Sequence, residues 1–130
     1  MADHPALAAG AVAVITGAAS GIGRAAAMKL AARGMRVCLA DVAAESLEAA
    51  VDEITGLAAN GPEDVMHQHC DVGDPVAVAR FRDTVYDRFG TVNLLMANAG
   101  IGPMGRVLAR VYRLIGVYSC SGEVFHPDFV

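Results

Sequence analysis

A glycine-rich stretch near the start of the chain has the residue order of a phosphate-binding loop. Gly17, Gly21 and Gly23 follow the apolar, β-branched run 11–15 and lead into an alanine-rich segment. Glycine lacks a Cβ, so the backbone can approach a ligand closely. A helix starting there directs its unpaired N–H groups and the positive end of its dipole at the same point. The pattern predicts a cradle for the pyrophosphate of a dinucleotide. A kinase-type P-loop is excluded, because no Gly-Lys-Ser/Thr follows.

The elements that position this loop follow from the spacing of apolar residues. The spacing predicts strands at about 11–16, 35–41, 64–71 and 92–97, and helices at about 21–33, 43–59 and 75–89. Gly34 and Gly90 are expected to end the first and third helices. Asp74, followed by a proline, is expected to cap the start of the third. The second helix carries one apolar stripe, made of Leu47, Ala50, Val51, Ile54, Leu57 and Ala58.

Alternating strands and helices predict an α/β fold with a parallel sheet and right-handed crossovers. We expect a partial, Rossmann-type doubly wound sheet of about four β–α units. Ligands of such sheets bind beyond the carboxyl ends of the strands. The glycine loop, Asp41, Asp71 and Asn98 all follow predicted strands. Four strand ends that carry plausible ligand contacts are a stronger signal than one glycine motif.

Composition narrows the class of protein. The chain has 130 residues, of which 55% are hydrophobic, and this fits one domain with one core. A formal net charge of −4 does not suggest a nucleic-acid-binding protein. No apolar stretch reaches the roughly 20 residues that span a bilayer, and the start of the chain lacks the basic residues of a signal peptide. With three cysteines and no C-x-x-C pair, we expect a cytoplasmic protein without membrane partners.

From about residue 9 to 105 the chain resembles the short-chain dehydrogenase/reductase family. The residues that carry the resemblance are Thr16-Gly17-x-x-x-Gly21-x-Gly23, Asp41, Cys70-Asp71-Val72 and Asn98-Ala99-Gly100. One position departs from the family pattern, since Ala97 stands where the first Asn of N-N-A-G is usual. The run 21–26 also fits the G-x-G-x-x-A fingerprint of longer-chain dehydrogenases. The first strand, however, ends earlier, at Gly17, which favours the short-chain pattern.

The resemblance implies a set of dinucleotide contacts. In this set Asp71 accepts a hydrogen bond from the adenine amine, Val72 packs beside the ring, and Ile22 lines the floor near the nicotinamide. The backbone of 98–100 passes beneath the adenosine ribose. An alternative for Asp71 is a turn-forming role before Gly73. The implied cofactor-binding residues are Gly17, Ser20, Gly21, Ile22, Gly23, Asp41, Asp71, Val72, Asn98, Ala99 and Gly100.

Asp41 predicts which nicotinamide cofactor is preferred. A carboxylate at the end of the second strand can accept both hydroxyls of the adenosine ribose, and it would repel a 2′-phosphate. Positions 20 and 42 hold Ser20 and Val42, so neither carries a basic residue that would offset that repulsion. We therefore predict NAD over NADP. The alternative is a surface carboxylate that caps the second helix.

The catalytic residues that the resemblance implies are not found in this sequence. Members of the family use a Ser and a Y-x-x-x-K pair, whose spacing places Tyr and Lys on one helix face. The one lysine of the chain is Lys29, in the first predicted helix. Tyr86, Tyr112 and Tyr118 are each followed four residues later by glycine. No catalytic residue is assigned.

The last part of the chain has a different character. The resemblance fades after residue 105, which predicts a dinucleotide-binding half-domain at 1–105 and a divergent segment at 106–130, with one amphipathic helix over 106–118 and an irregular tail. A truncated, spliced or frame-altered product is the simplest expectation. His67 and His69 share one strand face but lack a third ligand nearby in sequence, so no metal site is predicted.

The sequence leaves two functions open. The resemblance implies an NAD(P)-dependent oxidoreductase acting on an alcohol or carbonyl substrate, with the catalytic half missing from these residues. The alternative is a non-catalytic dinucleotide-binding module or a remnant. A fourth strand without a fifth beside it would leave an unpaired hydrophobic edge, so we also expect self-association.

Overall fold

Four parallel strands form a single sheet in the computed structural model, which describes residues 4–99. The strands lie in the order β3-β2-β1-β4. The elements are a short 3-10 helix Pro5–Leu7, β1 Val12–Thr16, α1 Gly21–Ala32, β2 Arg36–Asp41, α2 Ala44–Thr55, a second 3-10 helix Gly61–Asp64, β3 Val65–His69, α3 Pro75–Phe89 and β4 Leu94–Ala97. This architecture confirms the predicted partial Rossmann-type sheet.

Helices cover both faces of the sheet. Ala13 and Ile15 of β1 pack on one face with apolar residues of α1 and α2. Val12 and Val14 pack on the other face with α3. All five residues of β1 are buried, because a parallel strand covered on both sides has no solvent face. Because all four strands are parallel, their carboxyl ends lie along the same side of the sheet, which we call the carboxyl edge.

The predicted ends of α3 are confirmed. The Asp74 side chain accepts a hydrogen bond of 3.0 Å from the Val76 N–H, and Pro75 is the first helical residue. Gly90 ends the helix at φ +75°, in the left-handed region that favours glycine. A cap of the Asp74 kind stabilises a helix by about 1 kcal/mol.

The second helix is shorter than the apolar stripe predicts. It ends at Thr55 and is capped by Gly56, a residue type with low helix propensity. Leu57, expected on the buried stripe, is 43% exposed. The chain then closes a turn in which the Asn60 N–H and side-chain amide both donate to the Asp64 carboxylate at 3.1 Å. The third strand is also shorter than predicted, since its pairing ends at His69.

Several predictions from the sequence lie outside the described residues. They are Gly100 of the proposed cofactor set, the domain boundary at 105, the helix at 106–118 and the tail. Within residues 4–99, no helix is long and apolar enough to cross a membrane.

Candidate functional site

The glycine loop is tied to the end of β2 at the carboxyl edge. The Ala18 N–H donates to the Ala40 carbonyl at 3.2 Å, and the Ala19 N–H donates to Asp41 Oδ2 at 3.0 Å. These two bonds join residues that are 22 positions apart in the sequence. The structure thereby brings the glycine loop and Asp41 together, as the carboxyl-end argument expects.

Thr16 joins the glycine loop to the end of β4. Its side chain is buried, and its hydroxyl oxygen accepts hydrogen bonds from the Asn98 N–H at 3.1 Å and the Ala99 N–H at 3.2 Å. The Asn98 N–H also donates to the Met96 carbonyl at 3.1 Å, whereas the part-buried Ala99 N–H depends on Thr16. Leaving such a donor unsatisfied costs about 1–3 kcal/mol when it is fully buried. Thr16 opens the glycine motif, but its place in the motif alone predicts no contact for its side chain. A hydroxyl side chain at the end of a buried strand is the feature of the sequence that indicates such a role.

Two of the three motif glycines permit close packing within the protein. A Cβ on Gly23 would lie 2.3 Å from the Gly17 carbonyl oxygen and 2.8 Å from Asn98 Nδ2. A Cβ on Gly17, whose φ is +68°, would lie 2.9 Å from the Ala99 backbone nitrogen. The Asn98 side-chain amide donates to the Gly17 carbonyl at 3.3 Å. Gly17, Gly23 and Asn98 therefore form one packed unit.

Gly21 differs from the other two glycines. Its φ of +58° favours glycine, yet a Cβ built on it meets no atom within 4 Å. The space in front of Gly21 is therefore open to a ligand. This is the part of the loop where a phosphate could approach the backbone.

The first turn of α1 presents donors and one apolar side chain at the same place. The opening N–H groups of any α-helix have no intrahelical acceptor. Ser20 is the N-cap residue and is exposed, and its side chain makes no capping hydrogen bond in the described structure. Ile22 is 72% exposed, and leaving a large apolar side chain in water is energetically unfavourable. Arg24 pairs with Glu53 of α2 on the surface of the two helices.

Asp41 already has two partners in the protein. Its Oδ2 accepts from Ala19, and its Oδ1 accepts a 2.9 Å hydrogen bond from the N–H of Ala43, the N-cap residue of α2. The second bond closes a turn just before α2 and is not a helix cap, since no side chain of the described residues caps the N-terminus of α2. A carboxylate has about four lone-pair sites, so capacity for ribose hydroxyls remains. Asp41 is half-buried, at the rim of the loop.

Asp71 and Val72 follow β3 at the same edge. Asp71 Oδ1 accepts a 2.8 Å hydrogen bond from the Gly73 N–H, which is the turn geometry considered as the alternative. The Asp71 side chain is nevertheless exposed, so turn formation does not remove it from the surface. Val72 packs partly buried against the α3 side of the sheet. Val42, beside Asp41, is 57% exposed.

The two cysteines of the described region are not activated thiols. Burial raises the pKa of Cys38 to about 12. Burial, with smaller contributions from Asp71 and Asp74, raises the pKa of Cys70 to about 11. Both thiols are therefore protonated near neutral pH and are poor nucleophiles. Between residues 4 and 99, no three His, Cys, Asp or Glu side chains group as a metal site.

Known proteins match this chain in both sequence and structure. The family model described as short chain dehydrogenase matches residues 11–112. The 1-deoxy-11-beta-hydroxypentalenate dehydrogenase of Streptomyces avermitilis is 45% identical over 97 residues, which are 74% of this chain and 34% of that protein. This chain spans between a third and a half of the length of the curated relatives that it matches.

Solved structures give the same result. A short-chain dehydrogenase/reductase from Burkholderia phymatum, in complex with NAD, is 42% identical with a TM-score of 0.66, over 72% of this chain and 32% of that one. A metagenomic short-chain oxidoreductase in complex with NADP is 34% identical with a TM-score of 0.66, over 82% of this chain and 51% of that one. The family model alone matches more than half of the chain, and the strand order and glycine loop agree with it. The chain therefore belongs to the short-chain dehydrogenase family.

Proposed function

We propose that the carboxyl edge binds a nicotinamide adenine dinucleotide. The observation that carries the proposal is the open space in front of Gly21, at the start of α1 and beside the rim carboxylate of Asp41. The N–H groups of Gly21 and Ile22 would hold the pyrophosphate, since they lie at the positive end of the helix dipole. Related structures in complex with NAD and with NADP support the choice of ligand.

The remaining cofactor contacts follow the positions around this opening. Asp41 would accept from the adenosine ribose, with Asp71 and Val72 at the adenine. Ser20 would donate to the pyrophosphate, and Ile22 would supply an apolar floor for the nicotinamide. Gly17, Gly23, Asn98 and Ala99 hold the loop in shape through the contacts described above. Gly100 completes the proposed set.

NAD is the proposed cofactor, in preference to NADP. The carboxylate of Asp41 would repel a 2′-phosphate, and neither 17–21 nor 41–44 contains a lysine or an arginine. A charged hydrogen bond to the ribose contributes about 1.5–3 kcal/mol. The arrangement favours the nucleotide with a free 2′-hydroxyl.

The proposed activity is that of an oxidoreductase acting on an alcohol or carbonyl substrate. The nicotinamide, when bound, would accept or give the hydride. The residues of this chain would bind and orient the cofactor and would contact its adenosine half. A Tyr-x-x-x-Lys pair is not present in these 130 residues, so the proton-transfer groups would come from another segment or polypeptide. A non-catalytic dinucleotide-binding module is the second candidate, favoured by the same observation.

Titration with NAD, paired with an assay for NADH formed from assorted alcohols, tests the proposal. We expect saturable NAD binding, and no turnover by the 130-residue chain alone. Binding without turnover supports the cofactor-binding half. Turnover by the chain alone would show that its proton-transfer groups differ from the family pattern. If NAD does not bind, the proposed site is wrong.

We also propose self-association through β4. Within residues 4–99, β4 pairs only with β1, and all four of its residues are half-buried. An apolar edge strand of this kind is a template for pairing with a second chain. Sedimentation at tens of micromolar should show dimers or larger species. A monodisperse monomer at that concentration would contradict the proposal.

We also propose a division of the chain and a location for it. Residues 1–105 form the dinucleotide-binding unit and 106–130 form a separate segment, because the motifs shared with the family all lie at or before Gly100. The chain is cytoplasmic, a location supported by the free, buried thiols of Cys38 and Cys70.

A further inference from the structure

The side chain of His69 lies next to the cofactor carboxylate in the sheet. In the parallel pairing of β2 and β3, Asp41 is the register partner of His69. Paired strands are about 4.8 Å apart, so the two Cα atoms are close neighbours. The alternation of each strand places both side chains on the face covered by α1 and α2, the face of Leu39 and Val65.

His69 has no structural partner that would account for its position. Its side chain is exposed, and within residues 4–99 that side chain makes no hydrogen bond or ion pair. His67 has the same exposure on the same strand face, but its register partner is the buried Leu39. The two histidines therefore differ mainly in their distance from Asp41, which makes His67 a matched control.

The charges around His69 are otherwise acidic. Asp41 faces it from β2, and Asp71 and Asp74 follow it at the end of β3. Glu53 of α2 pairs with Arg24 of α1, and Glu48 is an exposed residue of the same helix. Glu45 lies in the first turn of α2. Arg24, the basic residue of α1 nearest the loop, is held by Glu53.

No lysine or arginine stands in any of the four segments that form the carboxyl edge. These segments are 16–21, 41–44, 69–74 and 97–99. His69 is the one side chain in them that can become positively charged. Histidine is the side-chain type whose charge can change between about pH 5 and 8.

We propose that His69 determines how the selectivity between NAD and NADP depends on pH. The proposal rests on the dinucleotide site described above. When His69 is protonated, its positive charge beside Asp41 offsets the repulsion of a 2′-phosphate, and NADP binds better relative to NAD. When His69 is neutral, only the carboxylate acts on that position, and NAD is strongly preferred.

The test measures the NAD and NADP affinities of wild type, His69→Gln and His67→Gln at pH 5.5 and pH 8. The 2′-phosphate of NADP itself gains a proton near pH 6. The ratio of the NAD and NADP affinities therefore changes with pH in every variant. The test compares the size of that change between wild type and the two variants. A unit charge at roughly 8 Å from a phosphate that carries one to two negative charges corresponds to about a two- to fivefold change in affinity in water. We expect the wild-type ratio to shift toward NADP at low pH by about two- to fivefold more than that of His69→Gln, with His67→Gln like wild type.

A charge-retaining variant and added salt separate this role from a structural one. His69→Arg should favour NADP at both pH values, relative to wild type at pH 8. About 1 M salt should remove most of the effect, since it screens exposed charges within about 3 Å.

Equal pH shifts in wild type and His69→Gln would overturn the role of His69 and leave the dinucleotide site standing. An effect of His67→Gln as large as that of His69→Gln would also overturn it. If neither nucleotide binds the wild type at either pH, the proposed function itself fails, and the role of His69 fails with it.

Discussion

Replacing Asp41 with alanine is expected to weaken NAD binding by about 10- to 100-fold, because a charged hydrogen bond of about 1.5–3 kcal/mol to the ribose is lost. NADP binding should change far less. In the NAD complex and in the NADP complex alike, the variant takes away the carboxylate that accepts hydrogen bonds from the Ala19 and Ala43 N–H groups. For NADP, however, the loss of repulsion between the carboxylate and the 2′-phosphate acts in the opposite direction. The ratio of the two dissociation constants is the measurement that isolates the carboxylate from the loop.

Asp74 provides a matched control for this variant. Its Oδ1 accepts from the N–H two residues later, as Asp41 Oδ1 does, and it also stands at the start of a helix. Asp74→Ala should therefore lose a cap, with a stability change of about 1 kcal/mol, and leave the NAD/NADP ratio unchanged. An unchanged ratio in Asp41→Ala would show that Asp41 serves the loop and α2 alone.

Replacing Gly23 with alanine is expected to have the second large effect. The new Cβ would stand 2.3 Å from the Gly17 carbonyl oxygen, an approach that real Cβ atoms do not make. The obstacle is backbone, so relief requires the loop and α1 to separate. We expect NAD binding to fall by at least about 100-fold, and the free energy of unfolding to fall by about 1–3 kcal/mol, as for other overpacked sites. Calorimetric titration and urea unfolding measure the two effects.

Gly56→Ala is the control for the glycine substitution. Gly56 has φ −64°, and its nearest contact to a new Cβ is an ordinary 3.4 Å. This variant should bind NAD like the wild type. Wild-type NAD affinity in Gly23→Ala would mean that the loop geometry of the structure is not needed for binding.

The three glycines of the motif show that a shared motif does not specify the structural role of each residue in it. All three match the family spacing, and the motif predicts one shared role for them, a turn and a close approach to phosphate. In the structure Gly17 and Gly23 make room for backbone and for Asn98, whereas only Gly21 faces open space. Part of the packing around the missing Cβ atoms of Gly17 and Gly23 comes from Asn98 and Ala99, which are far away in the sequence, and local sequence does not describe such contacts.

Local features of the fold could be predicted from the sequence alone. The strand and helix order, the Asp74 cap and the Gly90 stop all depend on residues within a few positions of one another, and all are observed. The partial doubly wound sheet follows from the alternation of those elements. The end of α2 was missed, because an apolar residue at helical spacing, Leu57, is not buried once Gly56 has ended the helix.

Periodicity and capping are local, so the order of amino acids alone specifies which elements form, in which order, and that polar residues follow the strands. Which of those residues meet depends on tertiary packing. The Thr16 hydroxyl reaches the amides of Asn98 and Ala99 across more than 80 residues, and Asp41 braces the glycine loop. His69 comes beside Asp41 through strand register. Such contacts depend on how separate strands are placed side by side, and that placement is set by the packing of the whole sheet between its helices.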